Sequence, residues 1–204
     1  MIRIYGTSKS RAARSLIALE EVGVPYQHTP LFCNGDAPED RAILNRLNPN
    51  SHVPVIEDEG LVLWESMAIN LYLAEAFGGS LWPAERRGRA LVYQWSLWVQ
   101  TEMDRPDWNA IRRSGEASAI LELKKKKAEV LGVLDRALAA APYLLGDEFS
   151  FADLNVAASL SQPNEGGKID WQRLDPGELG LPSLARWLEA CTRRDSWRRV
   201  ADLP

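Results

Sequence analysis

Three hydroxyl side chains, those of Thr7, Ser8 and Ser10, lie between a short apolar segment and the first predicted helix. The first N–H groups of a helix are unpaired and its dipole is positive there, so this position favours a bound anion. A free thiol has a pKa of about 8.5, and a hydroxyl that donates to its sulfur stabilises the reactive thiolate. Residues 7–11 contain no cysteine, which argues against disulfide exchange. The loop therefore predicts hydrogen-bond donors for a bound anion, and a thiolate is one anion that such donors would stabilise.

The segment from Val53 to Ser66 has the pattern of a strand, a tight turn, a second strand and a helix start. The unpaired N–H groups and the hydroxyl at Ser66 favour a carboxylate, and Glu65 offers a negative charge to an ammonium group. Pro54 lacks an N–H and predicts a bend where a ligand can pair with the main chain of Val53. Together these residues predict a site for the α-amino acid end of a ligand.

Strand and helix patterns alternate in the first part of the chain. The predicted elements are a strand over 2–5, a helix over 12–22, a strand over 26–32, a helix that starts within 36–39 and stops before 48, the hairpin and a helix from 66 to 77. Strands that alternate with helices predict an α/β layer, and this order is that of a thioredoxin-like domain.

Beyond residue 79 only helical patterns continue. Leu91, Trp95 and Trp98 share one face of a predicted helix, and residues 117–141 predict a second long helix. The second part of the chain is therefore predicted to be all-helical.

A capping box predicts a further helix start at Ser150, because Asp153 lies three residues later. Phe149 and Leu154 occupy the two positions of a hydrophobic staple around it. A last helix is predicted to follow residue 182, with Cys191 as a core thiol. We interpret the capping box as a structural feature and not as a catalytic one.

The segment from His52 to Ser66 resembles the glutathione-recognition segment of the glutathione S-transferase superfamily, and the capping box resembles that of its helical domain. The resemblance implies a cis peptide bond at Pro54 and strand-like hydrogen bonds from Val53 to the cysteinyl unit of glutathione. It places the γ-glutamyl end on Glu65 and Ser66, and the glycyl carboxylate near His52. The residues alone leave open an ordinary helix start at 65–66 and a simple turn at 52.

The resemblance to serine-type members assigns thiol activation to one hydroxyl of the loop. Counting forward from the first strand gives Ser10, whereas counting back from Arg14 gives Lys9, which lies between Ser8 and Ser10. Thr7 is the third candidate. Each hydroxyl has the alternative role of capping the helix.

The resemblance implies the glutathione transferase fold of a serine-type, cytosolic, bacterial-like member. Residues 1–78 are expected to form the thioredoxin-like glutathione-binding domain, 79–86 a linker and 87–204 the all-α substrate domain. The implied reaction is attack of the glutathione thiolate on a small hydrophobic electrophile, which serves detoxification. Glutathione is then a co-substrate, no metal is expected, and a homodimer is implied.

The pocket for the electrophile is expected on the helical domain. Its candidate residues are Trp98, Glu102, Met103 and Trp108, for which core packing is the alternative. A peroxidase or isomerase that uses glutathione, and a non-catalytic binding protein of the same fold, are the other functions that the residues allow.

Composition sets outer limits on the function. The chain has 204 residues and a net charge of −4, which gives no general attraction to nucleic acid or to anionic membranes. It has no long apolar run, and its two cysteines have no metal-site spacing. These features predict a cytoplasmic protein without nucleic-acid or membrane partners.

Overall fold

The structure is a computed structural model that describes residues 1–32, 38–103, 116–161, 176 and 179–204. Its strands are β1 (Ile2–Tyr5), β2 (Tyr26–Thr29), β3 (Val55–Asp58) and β4 (Leu61–Trp64). The first helices are α1 (Ala12–Val22), α2 (Pro38–Leu47) and α3 (Ser66–Phe77), followed by a 3₁₀ helix over Gly79–Leu81. The later helices are α4 (Arg86–Met103), α5 (Ala117–Ala137), α6 (Phe151–Leu160), α7 (Pro182–Thr192) and α8 (Asp195–Ala201).

The four strands form one mixed sheet in the order β2-β1-β3-β4. Strand β1 is parallel to β2 and antiparallel to β3, and β3 is antiparallel to β4. Because Tyr5 pairs with Val55, the chain that leaves β1 and the chain that enters β3 lie at the same end of the sheet. This register brings the hydroxyl loop beside Val53 and Pro54, and the thioredoxin-like fold is confirmed.

Alternate residues of the central strands face opposite sides of the sheet, as the strand period requires. Ile4 and Ile56 are buried in the large core that also contains α1 and α3. Tyr5 and Val55 face the other side, in a smaller cluster with Leu44 of α2. The sheet is thus covered on both faces and holds its loops in fixed positions.

Helices α4 to α8 form the predicted all-helical domain, and their apolar faces join the same large core. The buried stripe of α4 consists of Val92, Trp95, Ser96 and Val99. Leu91, which the sequence placed on this face, is 37% exposed and lies at its edge.

A chain of buried side-chain amides crosses the boundary between the two domains. Asn70 Nδ2 of α3 donates to the main-chain oxygen of Arg14 at 3.3 Å and to Oδ1 of Asn155 at 2.9 Å. Asn155 Nδ2 donates in turn to Ser96 Oγ of α4 at 2.7 Å. Helices that carry candidate site residues are therefore linked by polar contacts as well as by apolar packing.

The predicted capping box at the start of α6 is confirmed. Asp153 accepts the N–H of Ser150 at 3.0 Å, and the Ser150 hydroxyl accepts the N–H of Ala152 at 3.3 Å. Asp153 Oδ1 also accepts the main-chain N–H of Leu144 and the indole N–H of Trp187, each at 2.8 Å. Burial raises the pKa of this carboxyl, and the surrounding donors oppose that rise.

Two elements of the first domain differ from the sequence pattern or extend beyond the described residues. The strand predicted over 26–32 ends at Thr29, because Pro30 follows and has no N–H for the sheet. Helix α2 begins at Pro38, and the predicted start at 36–37 lies outside the described residues, as does Cys33.

The helix predicted over 117–141 ends earlier, at Ala137. Arg186 Nη2 donates to the main-chain oxygens of Leu138 at 2.8 Å and Ala141 at 3.1 Å, so these carbonyls have partners without a further helical turn. Helix α8 was not predicted, because it is short and stabilised by contacts with distant α1. None of the described helices is long and apolar enough to cross a bilayer.

Candidate active site

Gly6 connects the hydroxyl loop to the segment at Val53. Its φ of +127° lies in the region that favours glycine, and a Cβ placed on it would lie 2.6 Å from Ala12 Cβ and 2.9 Å from Val53 Cβ. The Val53-Pro54 peptide bond is cis, as the resemblance implied. The start of α1 and the cis-proline turn therefore meet directly at this glycine.

Gly6→Ala is expected to lower the free energy of unfolding by about 3 kcal/mol, because the methyl group is overpacked and the backbone is left-handed. Gly23→Ala is the matched control, since Gly23 has a φ of +68° but nothing within 4 Å of the added Cβ. Gly23→Ala should lower the free energy of unfolding by only about 1 kcal/mol, which is the cost of the left-handed backbone. Urea unfolding followed by tryptophan fluorescence measures both. Equal losses in the two variants would contradict the close approach at Gly6.

The three candidate hydroxyls differ in what they contact. Ser10 Oγ donates to the Thr7 carbonyl at 2.8 Å and accepts the N–H of Ala12, the first residue of α1, at 3.1 Å. Ser8 Oγ donates to the main-chain oxygen of Leu203 at 2.6 Å. All three residues are buried, Thr7 at 1% exposed, Ser8 at 4% and Ser10 at 7%.

Tyr5 lies in β1, as predicted, and its environment does not suit thiol activation. Its hydroxyl donates to Glu57. Burial, followed by this hydrogen bond, raises the pKa of the Tyr5 hydroxyl. A donor already committed to a carboxylate is a poor donor to a thiolate.

Glu65 and Ser66 lie at the start of α3, against α1. Glu65 is exposed and has a φ of +75°, a conformation that costs a non-glycine residue about 1–3 kcal/mol and is concentrated at functional sites. Ser66 is 5% exposed, and the hydroxyl of Ser15 in α1 lies 3.5 Å from its carbonyl oxygen. Because Ser15 is one turn beyond Ala12, this corner borders the same end of α1 as the hydroxyl loop.

His52 and Val53 extend the site on its other side. The His52 side chain is exposed, and its carbonyl accepts the side-chain N–H of Asn48 at 2.8 Å. Val53 is buried in the smaller cluster through its side chain, so its main chain and not its side chain is the part that can serve a ligand.

The predicted electrophile-pocket residues are only partly brought together. Trp98 and Met103 are half-buried and pack on the large core, and the rings of Trp98 and Trp95 lie 5.4 Å apart. Glu102 is half-buried on the same helix, whereas Trp108 lies outside the described residues. Cys191 is buried, as predicted, and burial raises the pKa of its thiol.

Two contacts at the site were not predicted from the sequence. His28 Nε2 donates to the Gly6 carbonyl at 2.6 Å, and the main-chain oxygen of Pro204 accepts the N–H of Ser8 at 2.9 Å. The polar His28 in a short strand was a weak signal for the first contact. The contact between Ser8 and Pro204 had no signal in the sequence, because it joins residues 196 positions apart. Within the described residues, no group of three or more His, Cys, Asp or Glu side chains is arranged to hold a metal ion.

Comparison with known proteins identifies the family to which the chain belongs. The family model for the glutathione S-transferase N-terminal domain matches residues 2–75, and that for the C-terminal domain matches residues 93–195. The chain belongs to the glutathione S-transferase superfamily.

Individual relatives are similar along nearly the whole chain. Glutathione S-transferase GstB of Escherichia coli is 28% identical over 215 residues, which cover 100% of this chain and 99% of that protein. Glutathione S-transferase 3 of Zea mays is 27% identical, with 100% and 95% covered. A theta class glutathione S-transferase from Xanthomonas axonopodis pv. citri, solved with glutathione bound, has a TM-score of 0.72 and 28% identity, with 98% and 97% covered.

Proposed function

We propose that this chain is a serine-type glutathione transferase, which joins the sulfur of glutathione to a small hydrophobic electrophile. The observation that carries the proposal is the meeting at Gly6 of the hydroxyl loop, the start of α1 and the Val53-Pro54 turn. Family membership and the relative that is solved with glutathione bound support it.

Glutathione would lie along the edge formed by these segments. The main chain of Val53 pairs with the cysteinyl unit, and Glu65 and Ser66 hold the ammonium and carboxylate of the γ-glutamyl end. His52 is exposed next to Val53 and takes the glycyl carboxylate. This arrangement directs the sulfur towards the loop at residues 7–10.

Ser10 activates the sulfur in this proposal. Its hydroxyl hydrogen can turn from the Thr7 carbonyl to the sulfur, because that carbonyl still accepts the N–H of Ser10 at 3.1 Å. Ser10 Oγ continues to accept the N–H of Ala12. The donated hydrogen bond and the positive end of α1 both lower the pKa of the bound thiol. The thiolate then forms a C–S bond with the electrophilic carbon, and a leaving group departs with its electron pair.

Trp98, Glu102 and Met103 of α4, with Trp108, are proposed to border the electrophile. The first three lie near the end of α4, and their partial exposure allows contact with a second substrate. Apolar side chains there suit a hydrophobic electrophile, which is consistent with a role in detoxification.

A non-catalytic glutathione-binding protein is the second candidate. It is favoured by the hydroxyls of Ser8 and Ser10, which both already donate to main-chain oxygens of the protein. Absorbance of bound glutathione thiolate against pH separates the two functions. An enzyme lowers the pKa of the bound glutathione thiol towards neutrality, whereas a non-catalytic binding protein leaves this pKa near its value in water, about 8.5.

Ser66→Ala is expected to weaken binding of glutathione by about 10- to 100-fold, the value of a hydrogen bond to a charged group. Retention on immobilised glutathione measures the change. Ser80→Ala, at an exposed serine outside the site, is the control and should match the parent. Equal retention of Ser66→Ala and the parent would remove the γ-glutamyl site from the proposal.

We also propose a homodimer. The edge strand β4 carries Leu61 and Val62 at 42% and 40% exposed, and α4 carries Leu97 at 60%. Contiguous exposed apolar surface marks interaction sites, so the proposal is that these three side chains belong to one such surface. Leu97→Glu should shift the sedimentation coefficient to that of a monomer, whereas Val133→Glu, at a 38% exposed apolar side chain of α5 outside the proposed surface, should leave a dimer. A monomeric parent would contradict the proposal.

The domain limits at 1–78, 79–86 and 87–204 are part of the proposal. Helix α3 ends at Phe77 and α4 begins at Arg86, which supports them. The cytoplasmic location stays a prediction.

A further inference from the structure

Ser8 is held by the last described residues of the chain. Its hydroxyl donates to the main-chain oxygen of Leu203 at 2.6 Å, and its N–H donates to that of Pro204 at 2.9 Å. Two donors of one loop residue thus bind two successive main-chain oxygens. The contact joins the candidate thiol loop to a part of the chain almost two hundred residues away.

The segment of residues 194–204 that makes this contact is itself anchored along α1. Arg194 Nε and Nη2 each lie 2.7 Å from an oxygen of the Glu21 carboxylate, which is only 7% exposed. Further along, Arg199 Nε lies 2.6 Å from Glu20. Both carboxylates belong to the end of α1 that is distant from Ser8.

The end of this segment is also fixed. The N–H of Leu203 donates to the Val200 carbonyl at 3.1 Å, and the half-buried Leu203 side chain packs against the large core. The segment therefore runs beside α1 from its last turn to the loop that precedes its first turn. A contact anchored at both ends can fix the loop relative to the helix.

We propose that Ser8 is a positioning residue: residues 203 and 204 hold its hydroxyl and N–H, and so fix the turn that presents Ser10 to the sulfur. This role rests on the proposed transferase function. Ser8 lies inside the turn closed by the hydrogen bond from the Ser10 N–H to the Thr7 carbonyl. Fixing Ser8 therefore limits how far the Ser10 hydroxyl moves, and a catalytic donor must be held within a fraction of an ångström to be effective.

The geometry also separates this role from two others. Turning the Ser8 hydroxyl to a thiol would break its contact with the Leu203 carbonyl, whereas the Thr7 carbonyl keeps the N–H of Ser10 when the Ser10 hydroxyl turns, so the proposal assigns positioning and not thiol activation to Ser8. A segment that merely blocked the site would compete with glutathione for Ser8, and its release would then increase activity. If the segment instead positions Ser8, its release should decrease activity.

The test uses Ser8→Ala, Ser8→Thr and Leu203→Gly in the full chain, with Asp202→Ala as the control at an exposed neighbour in the same segment. Hydrogen exchange of the residue-8 amide, measured by NMR without glutathione, reports the contact itself. It should be about 3- to 10-fold faster in Ser8→Ala, which loses one hydrogen bond, and in Leu203→Gly, which keeps the main-chain oxygen but loses the packed side chain that holds it in place. Ser8→Thr retains a hydroxyl and should exchange close to the parent rate.

The second measurement is functional. In Ser8→Ala and Leu203→Gly, kcat should fall about 3- to 10-fold. The pKa of the enzyme-bound glutathione thiol should rise by about half a pH unit. KM for glutathione should stay within about twofold, because the γ-glutamyl corner is unchanged. The double variant should be no worse than the more severe single variant, since one removes the donor of the contact and the other the side chain that anchors its acceptor.

Several outcomes would overturn the inference. Unchanged amide exchange in the variants would show that the contact is absent in solution. A lower pKa of the bound glutathione thiol, or a higher kcat, in the variants would show that the segment blocks the site. Faster exchange with parental kcat and midpoint would leave Ser8 without a positioning role. If the parent itself left the thiol titrating as in water, the proposed transferase would fail, and this role with it. If the parent lowers the pKa of the bound glutathione thiol and the variants have the same pKa as the parent, only the positioning role of Ser8 fails.

Discussion

Ser10→Ala is expected to lower kcat/KM by about 10² to 10³ and to move the midpoint of bound glutathione thiol up towards 8.5. A useful transferase lowers that pKa by about one to three units, and the donated hydrogen bond is the main source proposed for this shift. Without the hydroxyl, the thiol is mostly protonated at neutral pH. Conjugation of a chromogenic electrophile across a pH series measures both quantities.

The same hydroxyl also accepts the first N–H of α1, and this structural contribution has to be separated from its proposed role in chemistry. Loss of the cap at Ala12 costs about 1 kcal/mol of stability, so Ser10→Ala should remain folded. Ser10→Thr keeps a donor and should retain more activity than Ser10→Ala. Activity in Ser10→Ala that equals the parent would transfer the catalytic role away from Ser10, and Thr7→Val would then be the next variant to measure.

Asp153→Ala is expected to lower the free energy of unfolding by about 3–5 kcal/mol, as when one partner of a buried charged network is removed. Its carboxylate accepts four hydrogen bonds, two from Ser150 and one each from Leu144 and Trp187, at 2.8 to 3.0 Å. Without it, these donors are buried without an acceptor. Urea unfolding measures the loss.

Two further variants show whether the loss comes from this network. Asp153→Asn keeps the shape but turns an N–H₂ group towards donors, so it should also be strongly destabilised. Asp195→Asn changes an exposed carboxylate that pairs with Arg198 and should cost less than about 0.5 kcal/mol. A loss below about 1 kcal/mol in Asp153→Ala would show that these hydrogen bonds contribute little.

The elements with strong local signals were predicted to the residue. Strand β1 and helix α1 have the predicted limits, because an alternating apolar segment and a helical apolar face leave little choice. The capping box at Ser150 was equally local. The cis bond at Pro54 came from resemblance, since the physics of the residue alone predicts only a bend.

Features that depend on distant parts of the chain were not predicted. The carbonyls just after α5 are bound by Arg186, which lies 45 residues beyond Ala141. Counting residues did not distinguish Ser8 from Ser10, and it could not reveal that the Ser8 hydroxyl donates to the distant Leu203 carbonyl. Spacing along the sequence identified the candidate residues, and the structure adds the hydrogen bonds on which their proposed roles depend.

Helix α1 belongs as much to the helical half of the protein as to the sheet. Its Leu16 and Leu19 lie in one continuous buried cluster with Leu154 of α6 and Val200 of α8. The α/β half is therefore not a self-sufficient module, because severing it would expose this seam to water. Chimaeras that graft it onto the helical half of another relative would have to reproduce the complementary shapes of α6 and α8.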